Sequence, residues 1–259
     1  MNKAFLYLII IITFITFIFL FKSKSNFEQF YNIDRFEKYG NGDKIVDQVY
    51  CICMPDRREY MKKQINKLGI SCVLFNAITP SDLTPTDYNN LTSFITKKTR
   101  LPLQLSFTMC YLDAIKNKYD TIIVFEDDIE ILTDKDTIIN GITEFKKSDF
   151  VMFYMGYCWL NCNQEIQING SLVNVQDYSR LFCAHSICYK VKYLKQFIDF
   201  LFPMNEEFDV KITKFFKKYN YIVCVPKQVY FDQNKELGTL NETYNLEGTV
   251  SINPPTCYF

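Results

Sequence analysis

Thr121-Ile122-Ile123-Val124-Phe125-Glu126-Asp127-Asp128 runs a β-branched apolar segment straight into three adjacent carboxylates. A short continuous apolar run of this kind reads as a strand buried on both faces. The acids cannot be buried with it, because like charges at close range are costly unless a cation joins them. Strand alternation sends Glu126 and Asp128 one way and Asp127 the other. Glu126 and Asp128 are then placed to share a hard cation through oxygen ligands, which suits Mg or Mn better than Zn. Ligands of open α/β sheets bind beyond the carboxyl ends of the strands, where this cluster falls. Read by themselves, the acids are equally compatible with a strand running into a solvated acidic turn.

The segments on either side decide how that strand is used. Ile45 to Met54 reads as a strand and Arg57 to Leu68 as a helix, with Asp56 as its cap, Glu59 completing a capping box and Gly69 ending it. Ser71 to Phe75 follows as a second strand, then a Thr/Pro/Asp-rich loop from Thr79 to Thr86. Leu103 to Lys118 has the spacing of a helix that packs on a sheet through Leu105, Met109, Leu112 and Ile115. Phe150 to Met155 and Leu181 to Tyr189 read as strands, with a polar hairpin or loop at Trp159 to Asp177 between them. Val191 to Phe202 and Glu207 to Tyr219 read as helices and Tyr221 to Val225 as a late strand. Repeated strand–helix alternation predicts an α/β domain with a largely parallel sheet.

Composition narrows the function. Lys+Arg and Asp+Glu both number 29 in 259 residues, so charge gives no case for a nucleic-acid partner. A single histidine, His185, excludes a multi-histidine zinc site. There is no Gly-x-Gly-x-x-Gly, no phosphate-loop motif and no Gly-x-Ser-x-Gly, which disfavours a dinucleotide-binding dehydrogenase, a P-loop NTPase and an α/β-hydrolase. Most of the ten cysteines lie in apolar runs, where cysteine packs as a small core residue; Cys158 and Cys162 are the best local disulfide candidate. Ala4 to Phe21 is almost wholly apolar, and as a helix would span roughly 27 Å, close to a bilayer core. No small-residue cleavage site follows it, so an uncleaved anchor is favoured over a signal peptide. The sequence thus divides into an N-terminal transmembrane anchor (1–25), a stem (26–44), an α/β domain (45–235) and an irregular tail (236–259). A single-pass membrane protein with a luminal catalytic domain is expected.

Several short segments, in order, resemble glycosyltransferase family 25, the lipooligosaccharide and collagen glycosyltransferases. They are Val49-Tyr50-Cys51-Ile52-Cys53-Met54-Pro55-Asp56-Arg57-Arg58, Phe75-Asn76-Ala77-Ile78, Leu105-Ser106, Val124-Phe125-Glu126-Asp127-Asp128-Ile129, Tyr154-Met155-Gly156-Tyr157 and Ala184-His185-Ser186-Ile187-Cys188-Tyr189, followed by Asp209, Val225-Pro226 and Gln233. The resemblance implies a glycosyltransferase A-type fold and inverting transfer of a hexose, galactose or glucose, from a nucleotide sugar such as UDP-galactose or UDP-glucose. A glycan or glycoprotein hydroxyl would be the acceptor and Mn (or Mg) the cofactor. It implies Asp128 and Asp209 as catalytic acids and Glu126, Asp127, Asp128 and His185 as metal contacts. Arg57, Arg58, Ser106, Ser186 and Gln233 would face the nucleotide sugar, the two arginines because guanidinium matches phosphate geometry. Two positions depart from the family pattern: Cys53-Met54 where Asn-Leu is usual, and Phe107 where a histidine follows Ser106. They motivate the alternative of a non-catalytic, glycan- or partner-binding relative.

Overall fold

The computed structural model describes residues 30–92, 99–157, 167–175, 181 and 183–237. The chain separates into two units, Met1–Asp34 and Arg35–Phe259; the second carries the sheet and everything that follows.

In chain order the strands are β1 (Phe36–Tyr39), β2 (Gln48–Cys53), β3 (Cys72–Asn76), β4 (Thr121–Phe125), β5 (Ile129–Ile131), β6 (Met152–Tyr154), β7 (Gln167–Asn169), β8 (Leu172–Val175), β9 (Ser186–Lys190), β10 (Val223–Pro226) and β11 (Phe231–Gln233). The helices are α1 (Arg58–Leu68), α2 (Pro85–Leu91), α3 (Arg100–Lys116), α4 (Lys135–Lys147), α5 (Leu194–Leu201) and α6 (Phe208–Tyr219). A nine-stranded sheet has the order β1-β3-β2-β4-β9-β6-β10-β8-β7, and β5 pairs with β11 in a separate ribbon. Strands β2, β3, β4, β6, β7 and β10 run one way, and β1, β8 and β9 the other. The parallel core expected from the sequence is therefore present, with antiparallel β9 inserted between β4 and β6. The architecture is α/β and consistent with a glycosyltransferase A-type fold.

Helices cover both faces, which is why the central strands are apolar without alternation. Every residue of β4 is at most 5% exposed, and each buried Ile, Val or Phe contributes roughly 1.5–3 kcal/mol. On one face, Cys51, Leu74, Ile123 and Phe125 pack with Met61, Ile65 and Leu68 of α1 and Ile138, Ile142 and Phe145 of α4. On the other, Tyr50 donates to Asp113 of α3 at 2.6 Å. There Tyr111 of α3 meets Tyr189 and Phe197, and Phe197 meets Phe208 and Phe215 of α6.

Several local expectations are revised. Asp56 does not cap α1: Pro55–Arg57 form a 3-10 turn, and Arg57 takes the cap position without a side-chain bond. Gly69 does end the helix, at φ 60° in the left-handed region that a residue without Cβ enters freely. The Thr79–Thr86 segment is not all loop. Thr84 caps α2 by accepting from Asp87 N, and Asp87 reciprocates at Thr84 N. Phe36–Tyr39, read as stem, is the edge strand β1. The membrane localisation is corrected: among the described residues no helix is long and apolar enough to cross a membrane. Ala4 to Phe21, on which the anchor rested, and the Cys158/Cys162 pair lie outside the described residues.

Candidate active site

Strand β4 ends at Phe125, and the three acids occupy the turn that leads into β5. Glu126 is pinned by its amide, which donates to the His185 carbonyl at 2.9 Å. The chain then turns, and the next two carboxylates go to different partners.

Asp127 is held by the protein itself. Its Oδ2 accepts from Met54 N at 2.7 Å and its Oδ1 from Arg57 Nη1 at 2.9 Å. Burial pushes the Asp127 carboxyl up, while the Met54 amide and the Arg57 guanidinium pull it back. Arg57 also donates to the Leu237 carbonyl at 3.2 Å. The pair thus ties the β2–α1 turn to the acidic turn, and a buried ion pair with further hydrogen bonds of this kind fixes geometry. Arg58 is turned elsewhere and pairs with Glu37 of β1.

Asp128 is placed differently. It is 8% exposed, yet its Oδ1 has no hydrogen-bond partner among the described residues. Its Oδ2 accepts from Gln233 Nε2 at 3.1 Å, and its carbonyl accepts from Asn234 N at 2.6 Å. Register explains the Gln233 contact: β11 lies antiparallel on β5 with Gln233 opposite Ile129, the residue after Asp128. Burial, and then the Asp127 charge, push the Asp128 carboxyl up to about 6. Glu126 is pushed well above the usual carboxylate range, by burial first and then by Asp128, Asp209 and Asp127.

Asp209 reaches the same cluster from the first turn of α6. Its Oδ2 accepts from Cys183 N at 3.3 Å. Burial raises its carboxyl to about 6 against the pull of that amide and of Arg100, which itself pairs with Glu207. Cys183 connects this acid to the other two. It sits at φ 73°, and its Sγ lies 3.8 Å from Gln233 Oε1. Cys183 is disulfide-bonded. Asp209, Cys183, Gln233 and Asp128 therefore form a continuous line of contacts, with Glu126 in electrostatic reach of both end carboxylates.

The remaining expected residues fall into two groups. Ser106 is committed to the fold: its hydroxyl accepts from Ile78 N and donates to the Pro102 carbonyl, both at 2.9 Å. Phe107 fills the core, stacked on Phe208 at 4.8 Å beside Asp209. His185 and Ser186 are fully buried beneath the acidic turn. His185 Nε2 lies 3.3 Å from the Phe231 carbonyl, and a carbonyl only accepts, so this nitrogen carries the proton. Burial lowers the imidazole to about 4, leaving it neutral at physiological pH. Neither His185 Nδ1 nor Ser186 Oγ has a hydrogen-bond partner among the described residues. Among those residues no group of three or more His, Cys, Asp or Glu is gathered tightly enough to hold a metal ion alone.

Gly156 and Cys183 were missed as site residues. A Cβ on Gly156 would lie 2.2 Å from His185 Nε2, 2.3 Å from the Phe231 carbonyl oxygen and 2.6 Å from Ser186 Oγ. Gly156→Ala is expected to destabilise the protein by about 1–3 kcal/mol, the usual range for overpacking. Urea unfolding measures this, and a wild-type midpoint would contradict the packing. Cys183 carries no local sign of its role, since a left-handed conformation at a non-glycine residue is rarely legible in sequence.

The model of glycosyltransferase family 25 (LPS biosynthesis protein) matches residues 53–223. This chain belongs to glycosyltransferase family 25. The match begins in β2 and runs through the acidic turn and Asp209 to the start of β10. No curated protein matches the chain. The family makes the protein a transferase enzyme that acts between a sugar donor and an acceptor. In this family 25 glycosyltransferase the Glu126-Asp127-Asp128 turn lies at the carboxyl end of a central strand, where α/β sheets present their ligands.

Proposed function

We propose that this glycosyltransferase moves a hexose, galactose or glucose, from a uridine diphosphate sugar to a hydroxyl of a glycan or glycoprotein, with inversion and with Mn or Mg bound. The observation that carries the reading is Asp128: a buried carboxylate with one oxygen held by Gln233 and the other unsatisfied among the described residues. Buried polar atoms without partners are rare and call for an explanation. Divalent cations of this kind are commonly bound by one or two carboxylates together with substrate phosphates. Asp128, assisted by Glu126, fits that donor set without a three-residue protein cage. The raised Glu126 and Asp128 carboxyls are what a nearby cation would relieve. When bound, the metal would supply Lewis-acid stabilisation of the diphosphate leaving group.

The chain's own residues support the rest of the reaction. Asp209 is the proposed base: it takes the acceptor hydroxyl proton as the acceptor oxygen bonds the anomeric carbon and the bond to the diphosphate oxygen breaks. A carboxyl near 6 is mostly ionised at neutral pH and basic enough to accept that proton. Asp127 and Arg57 hold the turn rather than the substrate, and Gln233 orients Asp128. Phe107, one of the two departures behind the non-catalytic alternative, packs on Phe208 at the helix start that carries Asp209.

The full chain should release UDP from UDP-galactose or UDP-glucose with added Mn, and release should stop with EDTA. Folded protein that turns over no nucleotide sugar with Mn or Mg would refute the proposal.

A further inference from the structure

We propose that His185 is a positioning residue, its imidazole N–H fixing strand β11 through the Phe231 carbonyl so that Gln233 holds the Asp128 carboxylate. The inference rests on the reading of Asp128 as the group that meets the metal and diphosphate.

Strand β11 is short and needs support. It has three residues and, among the described residues, pairs only with β5, itself three residues long, in a ribbon outside the main sheet. A two-stranded ribbon is marginal by itself in water and needs ties to its surroundings. Tyr230 N donates to the Met155 carbonyl at 2.9 Å, and the Phe231 ring lies 5.0 Å from that of Phe125. These contacts place the entry to the strand. At its far end, Asn234 N bonds the Asp128 carbonyl. Between them His185 reaches the Phe231 carbonyl from beneath, at 3.3 Å.

His185 is suited to this because it governs both halves of the clamp. Its carbonyl receives the Glu126 amide at 2.9 Å, so its backbone sets where the acidic turn begins. Its side chain sets where β11 lies, and β11 presents Gln233. One residue thereby registers the Asp128 carboxylate against the amide that holds it. The space for the ring is made by Gly156, whose missing side chain leaves Nε2 room. The neutral imidazole has one donor nitrogen, and that donor is engaged by Phe231. Nε2, engaged in this way, has no lone pair for a metal, and what this nitrogen contributes to the site passes through β11.

The test separates donor reach from bulk and polarity. In His185→Gln the amide nitrogen can reach the position of Nε2; in His185→Asn it falls short. Mn binding in the presence of UDP is read from the free-Mn electron paramagnetic resonance signal. Hydrogen exchange at Phe231–Gln233 and Ile129–Ile131 is read in the metal-free protein. Asn is expected to weaken Mn–UDP binding about 10–100-fold, the usual cost of losing an outer hydrogen bond that orients a ligand. It should also speed exchange in β5 and β11, whereas Gln should stay within a few-fold of wild type on both readings. An Asn variant that matches wild type overturns the proposal. So does a Gln variant that fails like Asn, or loss of folding in either, which would make the bond a requirement of the whole fold. If wild type itself binds no Mn with UDP, the metal reading falls, and the exchange data alone decide the role of His185.

Discussion

Asp128→Asn is expected to lower kcat/KM for sugar transfer by roughly 10²–10³-fold, the loss of several kcal/mol of charge stabilisation at the leaving group. The substitution keeps the amide acceptor for Gln233, since the new carbonyl can stand where Oδ2 stood. It removes the negative charge that gives the second oxygen its value toward a cation. Folding should survive, because burial already strains the charged carboxylate. The same variant should bind Mn–UDP far more weakly than wild type. Equal binding by the two proteins would remove Asp128 from the metal and leave the orphaned oxygen without its proposed purpose. Asp127→Asn serves as the contrast. Asp127 is engaged by Met54 and Arg57, so its loss should appear mainly in stability rather than in the response to Mn concentration.

That contrast also marks what sequence could and could not tell. The apolar run of β4, its burial on both faces and the placing of acids at its carboxyl end were all legible, because continuous β-branched residues have few other uses. The separation of Asp127 from Asp128 was expected from strand alternation, but β4 stops at Phe125 and a turn makes the separation. The sequence points Arg57 at a phosphate; in the fold it pairs with Asp127. Strands β5 and β11 left no trace in the pattern, since three residues are too few for a period to register and their pairing spans about a hundred residues of chain. The ribbon they form nevertheless brings Gln233 to Asp128. Helix α2 had a visible signal in Thr84-Pro85-Thr86-Asp87, an N-cap with proline at the first helical position and an acid at the third. Its density of Thr, Pro and Asp suggested a loop instead. The disulfide at Cys183 lay beyond reach, because connectivity is a property of the fold.

Asp209→Asn should separate activity from stability. As the proposed base, Asp209 supplies a proton acceptor that an amide cannot replace, and transfer should fall about 10²–10⁴-fold. In wild type at saturating Mn, where a bound cation would hold Asp128 ionised, kcat should rise as pH passes through about 6, where the Asp209 carboxyl ionises; in the variant that limb should disappear. Stability should move the other way. The folded-state carboxyl lies at about 6 against an ordinary value of 3.8. The unfolded chain therefore ionises first, and wild type loses stability as pH rises through that interval, with the loss complete above it. A shift of this size corresponds to about 3 kcal/mol as an upper bound. The asparagine still accepts from Cys183 N and carries no charge to bury. Its stability advantage over wild type should be near zero at about pH 3, below both ionisations, and grow to as much as about 3 kcal/mol by about pH 8. Urea unfolding across that range, with EDTA present, measures the difference directly. His185, its imidazole lowered to about 4, titrates in both proteins and cancels, whereas Glu126, which the Asp209 charge helps to raise, is relieved in the variant and adds to its advantage in the same direction. A difference that does not change with pH would mean the Asp209 carboxyl is not strained in the fold. A variant that is more stable yet inactive would identify Asp209 as a group whose burial costs the fold stability and is kept for the reaction.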